Sequence, residues 1–252
     1  MAQSFRQTDI LELARQHGKV TVEDLAARFG VTLQTIRRDL TDLAEAGQLE
    51  RVHGGAMLPS GVSNIGYEDR RDLNSAAKAA IAARCAAEIP DDCSVFLNIG
   101  TSTEAVARAL LRHRNLFVIT NNLNVANILV ANPDVDIMVA GGMLRRADGG
   151  LTGAMTRDVI EQFKVDIAVI GCSALDHDGD LMDYDVEEVH VSQSILRQAR
   201  RSYLVADHSK FQRNAPARIA SLGEIDGFFT DRPLTPSLDR LCRDWGTSVV
   251  VA

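Results

Sequence analysis

The chain has 252 residues, of which 46% are hydrophobic and 24% charged, and its net charge is −7. That is room for one large domain or for a small one followed by a medium one. No apolar run approaches the roughly 20 residues of a membrane span. The acidic balance argues against a protein that coats nucleic acid regardless of sequence, but not against one that reads DNA through a single helix.

The start of the chain, Met1 to Arg6, lacks the apolar stretch of a secretory signal, so a cytoplasmic protein is expected. Ile10, Leu11, Leu13 and Ala14 recur at helical spacing and predict a first helix, stopped by Gly18. Lys19 to Thr21 reads as a short extended piece. Thr21 then caps a second helix, Val22 to Phe29, with Asp24 in a capping-box position and Gly30 as its terminator. Thr32 caps a third helix, Leu33 to Ala46, which Gly47 ends. Leu49 to Val52, the turn His53-Gly54-Gly55, and Ala56 to Leu58 predict a β-hairpin. Helix, helix, turn, helix, hairpin is the order of a winged helix-turn-helix, placed at residues 1–58. Pro59 to Asn64 has linker composition, and the linker is drawn at 59–74.

From 75 to 252 the pattern is an α/β one. After a helix around Lys78 to Glu88, apolar strands are predicted at 94–98, 116–120, 136–140, 166–170, 203–206, 228–230 and 249–251. Helices are predicted between them at 100–111, 122–130, 158–163 and 186–200, with a Gly-rich hairpin after 140. Short apolar strands alternating with amphipathic helices give a mostly parallel sheet covered on both faces.

The third helix carries the clearest functional signal. With Ile36 at zero on a wheel of about 100° per residue, Leu40 and Leu43 fall within roughly 40° and face a core. Gln34, Arg38 and Thr41 lie on the opposite side, and Arg37 on a flank. Thr32, Gln34, Thr35, Arg37 and Arg38 therefore populate an exposed helix start, and these side chains can hydrogen-bond base edges and phosphates in a major groove. A lone Arg-Arg pair is usually a solvated face. Here it follows a capped turn and a second helix and precedes a hairpin, which favours DNA reading. Arg51 and His53 on the hairpin are candidates for backbone phosphate. Asp39 is expected to brace an arginine.

Val31-Thr-Leu-Gln-Thr-Ile-Arg-Arg-Asp-Leu40 and His53-Gly-Gly-Ala56 resemble the DeoR family of bacterial repressors. The resemblance continues through Val118 to Asn127, Ala140 to Gly142, Asp148 to Gly150 and Asp207 to Phe211, almost to the C-terminus. It implies a DNA-binding repressor whose second domain is similar in fold to sugar-phosphate isomerases. The implied partners are double-stranded operator DNA, a second copy or more of the chain, and a small phosphorylated effector, glycerol 3-phosphate or a sugar phosphate. Asn98 departs from the family, many of whose members carry Asp there.

Parallel α/β sheets bind ligands at the carboxyl ends of their strands, and polar residues cluster at those ends. Gly100, Thr101, Ser102 and Thr103 lie between a strand and a helix, where backbone amides favour an anion. Asn121 and Asn122 end the next strand and suit hydroxyls. Gly141 and Gly142 end the third, and Asp207 and Lys210 follow a later one, Lys210 as a point charge for phosphate. Asp185 and Glu188 begin a helix on one face. They are positioned to bind hydroxyls, bind a cation, act as acid and base, or merely stabilise the helix start. The four cysteines, Cys85, Cys93, Cys172 and Cys242, form no CxxC pair. Buried thiols in a reducing compartment are expected, and neither a metal site nor a cofactor. Two rival readings remain: an isomerase-like enzyme, against which the attached reader argues, and a helix-turn-helix that docks protein, against which exposed Arg37 and Arg38 argue.

Overall fold

The computed structural model describes residues 5–17, 19–57 and 66–252, so the expected helix stop at Gly18, the strand end at Leu58 and the linker stretch Pro59 to Asn64 lie outside the described residues. The chain divides into two compact units, 1–73 and 74–252.

The first unit runs α1 (Phe5–His17), β1 (Lys19–Thr21), α2 (Val22–Phe29), α3 (Leu33–Glu45), β2 (Glu50–Val52), β3 (Gly55–Met57) and α4 (Tyr67–Asp72). The Thr21 hydroxyl accepts from the Asp24 amide at 3.1 Å and fixes the start of α2. Ile10, Leu25, Ile36, Leu40, Leu43, Leu49 and Ala56 are buried together, each large side chain contributing roughly 1.5–3 kcal/mol. The extended piece at 19–21 is a sheet strand: the wing has three strands in the order β1-β3-β2, all antiparallel. Residues 67–72, placed in the linker by composition, form α4, whose Asp69 accepts from the His53 amide at 2.9 Å.

The second unit begins with α5 (Ser75–Ala87), β4 (Ser94–Leu97), α6 (Thr101–Ala109), β5 (Leu116–Thr120), α7 (Leu123–Leu129) and β6 (Val135–Val139). A hairpin of β7 (Met143–Arg145) and β8 (Gly150–Thr152) leads to α8 (Ala154–Ile160) and β9 (Val165–Ile170). There follow β10 (Ala174–Leu175), β11 (Asp180–Asp183), α9 (Val186–Arg197), β12 (Ala199–Val205), β13 (Ala217–Ser221), β14 (Gly227–Thr230), α10 (Pro236–Trp245) and β15 (Ser248–Val251). Seven strands form one parallel sheet in the order β15-β14-β12-β9-β4-β5-β6. Strand alternation sorts the core. Phe96, Ile119, Ala168, Leu204 and Phe228 face α8, α9 and α10, whereas Val95, Leu97, Val118, Val169 and Phe229 face α5, α6 and α7. Among the described residues no helix is long and apolar enough to cross a membrane.

The chain leaves β4 toward β5 and β6 in one direction, and β9, β12, β14 and β15 extend in the other. The order therefore reverses between β4 and β9, and the crevice at their carboxyl ends is the switch point where such sheets take ligands. Two helix boundaries and one sheet stand out against expectation. α8 begins at Ala154 rather than 158, because Gly153 opens it. Ala199 and Arg200 belong to β12, not to the preceding helix, because the sheet register pairs Ala199 with Val165. A small antiparallel sheet, β10-β11-β13, was not expected at all.

Candidate functional site

In the first unit, Thr32 caps α3 by accepting from the Thr35 amide at 3.2 Å, and the two hydroxyls lie 2.9 Å apart. Ile36, Leu40 and Leu43 are buried, and Gln34, Arg37 and Arg38 are exposed, Thr35 half so. Asp39 is turned inward and takes both Nε and Nη2 of Arg6, the latter at 3.1 Å, so it holds α1 on α3 and removes its charge from the exposed face. The wing is braced on the same helix: Arg51 donates to the Arg37 carbonyl at 3.2 Å. Burial and the neighbouring Arg37 push its guanidinium below the ordinary value. Arg51 thus positions the wing and adds to the positive field of the helix, a role the sequence did not suggest. His53 is exposed, with Nδ1 3.5 Å from Asp72 of α4.

In the second unit, the loop after β4 is shaped by Gly100, whose φ of 141° and ψ of 151° lie in a region essentially only glycine occupies. The first-turn amides of α6 have no intrahelical acceptor, and the loop presents those of Ser102 and Thr103 beside a buried surface. Thr103 itself closes the loop, its hydroxyl 2.7 Å from the carbonyls of Asn98 and Gly100. Asn98 is locked from both ends, donating to Ser192 at 2.8 Å and accepting from the Ile99 amide at 2.7 Å.

Asn121 and Asn122 at the end of β5 are fully buried. Asn121 donates to the Leu151 carbonyl at 3.1 Å, and Asn122 caps α7 by accepting from the Asn124 amide at 2.9 Å. The other amide atom of each, Asn121 Oδ1 and Asn122 Nδ2, has no hydrogen-bond partner. Each orphan, an acceptor on Asn121 and a donor on Asn122, is a group that a hydroxyl can satisfy, since a hydroxyl is both. Gly142 has a packing reason: a Cβ there would collide with Thr156 Oγ1 and stand 2.7 Å from the Thr152 carbonyl oxygen. Gly141 accepts from the Thr156 hydroxyl at 2.6 Å. These contacts seat α8 against the two glycines, which stay exposed.

Asp185 and Glu188 do bind a cation, but it belongs to the chain. Arg145, on the β7–β8 hairpin, reaches Asp185 at 2.8 Å, Glu188 at 2.6 Å, and Asp148 with Nε at 2.9 Å and Nη2 at 2.6 Å. Burial disfavours the charged guanidinium, but Asp148 and Glu188 outweigh it and raise its pKa further. The acid–base and free-hydroxyl readings of this pair therefore give way to a structural clamp between the hairpin and α9. Asp185 also caps α9, accepting from the Glu187 amide at 2.9 Å.

Asp207 follows β12 and accepts from the Ser209 hydroxyl at 2.6 Å and amide at 3.1 Å and from Asn74 at 2.9 Å. Burial opposes its ionisation, but Lys210, Ser209, Lys78 and Asn74 prevail and hold the carboxyl below its ordinary value. Lys210 is 8% exposed. Burial and the neighbouring Arg213 lower its ammonium to about 7 despite Asp207. Cys85, Cys172 and Cys242 are buried and Cys93 partly so, all as free thiols. Among the described residues no cluster of three or more His, Cys, Asp or Glu could hold a metal ion.

Comparison with known proteins bears on both units. Residues 6–62 match the DeoR-like helix-turn-helix domain, and residues 73–232 match the DeoR C terminal sensor domain. The chain is 44% identical over 244 residues to the glycerol-3-phosphate regulon repressor of Escherichia coli K12, covering 97% of each. It is 46% identical over 230 residues to that of Haemophilus influenzae, covering 91% of this chain and 90% of the relative. Among solved structures, ribose 5-phosphate isomerase A of Methanocaldococcus jannaschii matches 55% of each chain at 14% identity and a TM-score of 0.41. With a reading helix at one end, a parallel α/β unit at the other, and both matched by the same family over nearly their whole length, this chain belongs to the DeoR family of transcriptional repressors.

Proposed function

We propose that the chain represses transcription by laying the start of α3 in the major groove of operator DNA, and that a small phosphorylated metabolite at the carboxyl edge of the sensor sheet releases it. Gln34, Thr35, Arg37 and Arg38 are the base- and phosphate-contacting residues, with Thr32 holding the helix start. Arg51 sets the wing, and His53 meets backbone phosphate. Half-sites one helical turn apart, about 34–36 Å, call for at least two copies of the chain. The setting is the cytoplasm, where operator DNA and phosphorylated intermediates meet.

The observation that carries the effector reading is Lys210, a cation buried at the end of β12 and two strands from the Gly100 loop. The amides of residues 101–103 supply anion donors, Asn121 and Asn122 suit hydroxyls, and Asp207 orients Lys210. The names of the two relatives make glycerol 3-phosphate the first candidate.

The test is a titration of operator-bound protein followed by fluorescence anisotropy. Glycerol 3-phosphate should lower DNA affinity at least tenfold, a coupling of about 1.4 kcal/mol, and glycerol should not. Equal release by both ligands would remove the phosphate from the reading. Product analysis in the same samples tests the isomerase alternative. For the reader, Arg38→Ala should weaken operator binding by roughly 1–3 kcal/mol, the worth of one bidentate base contact, without changing the melting temperature. Unaltered affinity would move the contact elsewhere on α3.

A further inference from the structure

The seven-stranded sheet ends at β6, which pairs with β5 alone. The ladder fixes which of its groups that pairing uses. The Leu116 amide donates to the Asp134 carbonyl at 3.2 Å, and the Ala140 amide to the Thr120 carbonyl at 2.9 Å. Backbone groups alternate in direction along a strand, so the even-numbered residues from 134 to 140 face β5. The amides and carbonyls of Ile137 and Val139 then point out of the open edge. Such a row is a template for another strand, and chains blunt it with lysine, proline or a bulge. β6, Val135-Asp-Ile-Met-Val139, has none of these. The other edge, β15, is guarded: Arg240 and Arg243 of α10 line one groove with its Val249 and Val251.

The open edge is also rimmed with apolar side chains. Met138, Val139 and Leu144 are each exposed by more than a third, Met143 by 76% and Met155 by 65%. Geometry joins them. Met138 lies beside Ile119 and Val139 beside Thr120, so the two straddle the strand on opposite faces. Ala140, on the side of Met138, packs in one core with Ile160 of α8. Met155, near the start of α8, sets its Sδ 3.5 Å from where a Cβ on Gly141 would stand. Met143 and Leu144 follow Gly142 at the head of β7. The five offer on the order of 500 Å² of apolar surface, at the upper end of what a lone soluble chain carries. Doubled across a two-fold axis, that is an apolar centre of about 1,000 Å², to which a polar rim adds, against the roughly 1,600 Å² of a stable interface.

We infer that two copies of the chain join edge to edge through β6, antiparallel about a two-fold axis, with Met138, Val139, Met143, Leu144 and Met155 of each packing on those of the other. Charge favours this direction. Asp134 and Asp136 are exposed at the amino end of β6, and Arg146 is exposed beyond its carboxyl end. Antiparallel pairing turns the acids of one copy toward Arg146 of the other, and the same patch serves both copies. The surface deepens the operator reading, on which it rests for the need of a second copy.

The experiment is sedimentation velocity of the full chain at micromolar concentration: wild type, Val139→Lys, Met143→Glu and, as control, Val251→Lys on the opposite edge. The first two should each halve the mass of the wild-type particle, and the control should leave it unchanged. In parallel, both should bind an operator with two half-sites at least tenfold more weakly, and a single half-site as wild type does. A wild type that is a single copy leaves the patch to a different protein and overturns the inference. So do edge variants of unchanged mass, or a mass that only Val251→Lys halves. Halved mass with unchanged operator affinity upholds the surface and removes from the operator reading its need for two copies. If a variant does not fold, amide exchange of the wild type decides. Ile137 and Val139 should be protected when the protein is concentrated and exchange faster on dilution. Fast exchange at every concentration overturns the edge pairing.

Discussion

Two buried charge clusters in the sensor unit are built in opposite senses. At Arg145 one guanidinium is surrounded by three carboxylates, and its charged form is reinforced. At Lys210 burial and the neighbouring Arg213 outweigh Asp207, and the ammonium is lowered to about 7. The first cluster has more partners than the cation needs and every one is supplied by the chain. The second is governed by burial, which opposes the charge that Asp207 supports. A cation saturated by its own protein is part of the architecture, whereas a lysine whose charge burial disfavours, one strand from the switch point of the sheet, is placed for something that arrives. The sequence alone left Asp185 and Glu188 open between binding a ligand and stabilising the helix start, because their partner Arg145 is far away in the chain.

The comparison is broken most severely at Arg145. Arg145→Met leaves Asp148, Asp185 and Glu188 close together without their cation, and removing one partner of a buried ion pair costs about 3–5 kcal/mol. A drop in melting temperature of the sensor unit is expected, accompanied by loosening of the hairpin in hydrogen exchange. A variant as stable as wild type would mean that the three carboxylates are not held by this guanidinium.

A smaller effect sharpens the same point. Asp148→Asn keeps the shape and can still accept from the Gly150 amide, which Asp148 does at 3.2 Å. It leaves Arg145 with two carboxylates. The expected loss is about 1–3 kcal/mol, the range for weakening one buried polar contact, and less than for Arg145→Met. If it equals the arginine variant, Asp148 alone holds the clamp, and the three-to-one arrangement at Asp185 and Glu188 has no weight in stability.

What could be read from the sequence follows from how each signal is encoded. The reading helix was legible because its burial repeats within thirteen residues and its caps are local. The sheet was legible because its strands are short apolar runs. The sheet β10-β11-β13 was hidden, as β10 has two residues and β13 lies over thirty residues from β11. α4 was hidden by its charge, with Glu68, Asp69, Arg70, Arg71 and Asp72 in succession and no apolar stripe. Arg145 was passed over because its partners come from 3 to 43 residues away. Lys78 did leave a signal: it shares the helix face of Ile81, Ala82 and Cys85, all buried, and a lysine on an apolar stripe asks for a partner. The depressed ammonium of Lys210 had no signal, since it depends on burial by distant segments.

The subtlest difference between the clusters lies in pH. Lys210 falls from its ordinary 10.5 to about 7 in the folded chain. Between those values the unfolded chain holds the proton and the folded chain does not, so stability rises with pH across that window, by at most about 1.4 kcal/mol per pH unit. Below pH 7 both states are protonated and the full penalty of the buried cation is present. The groups facing Lys210 are Lys78 from α5, Cys172 after β9, Asp207 after β12 and Arg213, with His177 and His208 on either side of the adjacent Phe211. Melting temperatures of wild type and Lys210→Met, taken from pH 6 to 9, isolate the lysine. Wild type should gain on the variant as pH rises. A bound phosphate should remove that gain, because its negative charge keeps Lys210 protonated. Effector binding then takes up a proton above pH 7, and its affinity falls as pH climbs. A difference that stays flat from pH 6 to 9 without ligand would mean that Lys210 is as well compensated as Arg145, and the contrast between the two clusters would not hold.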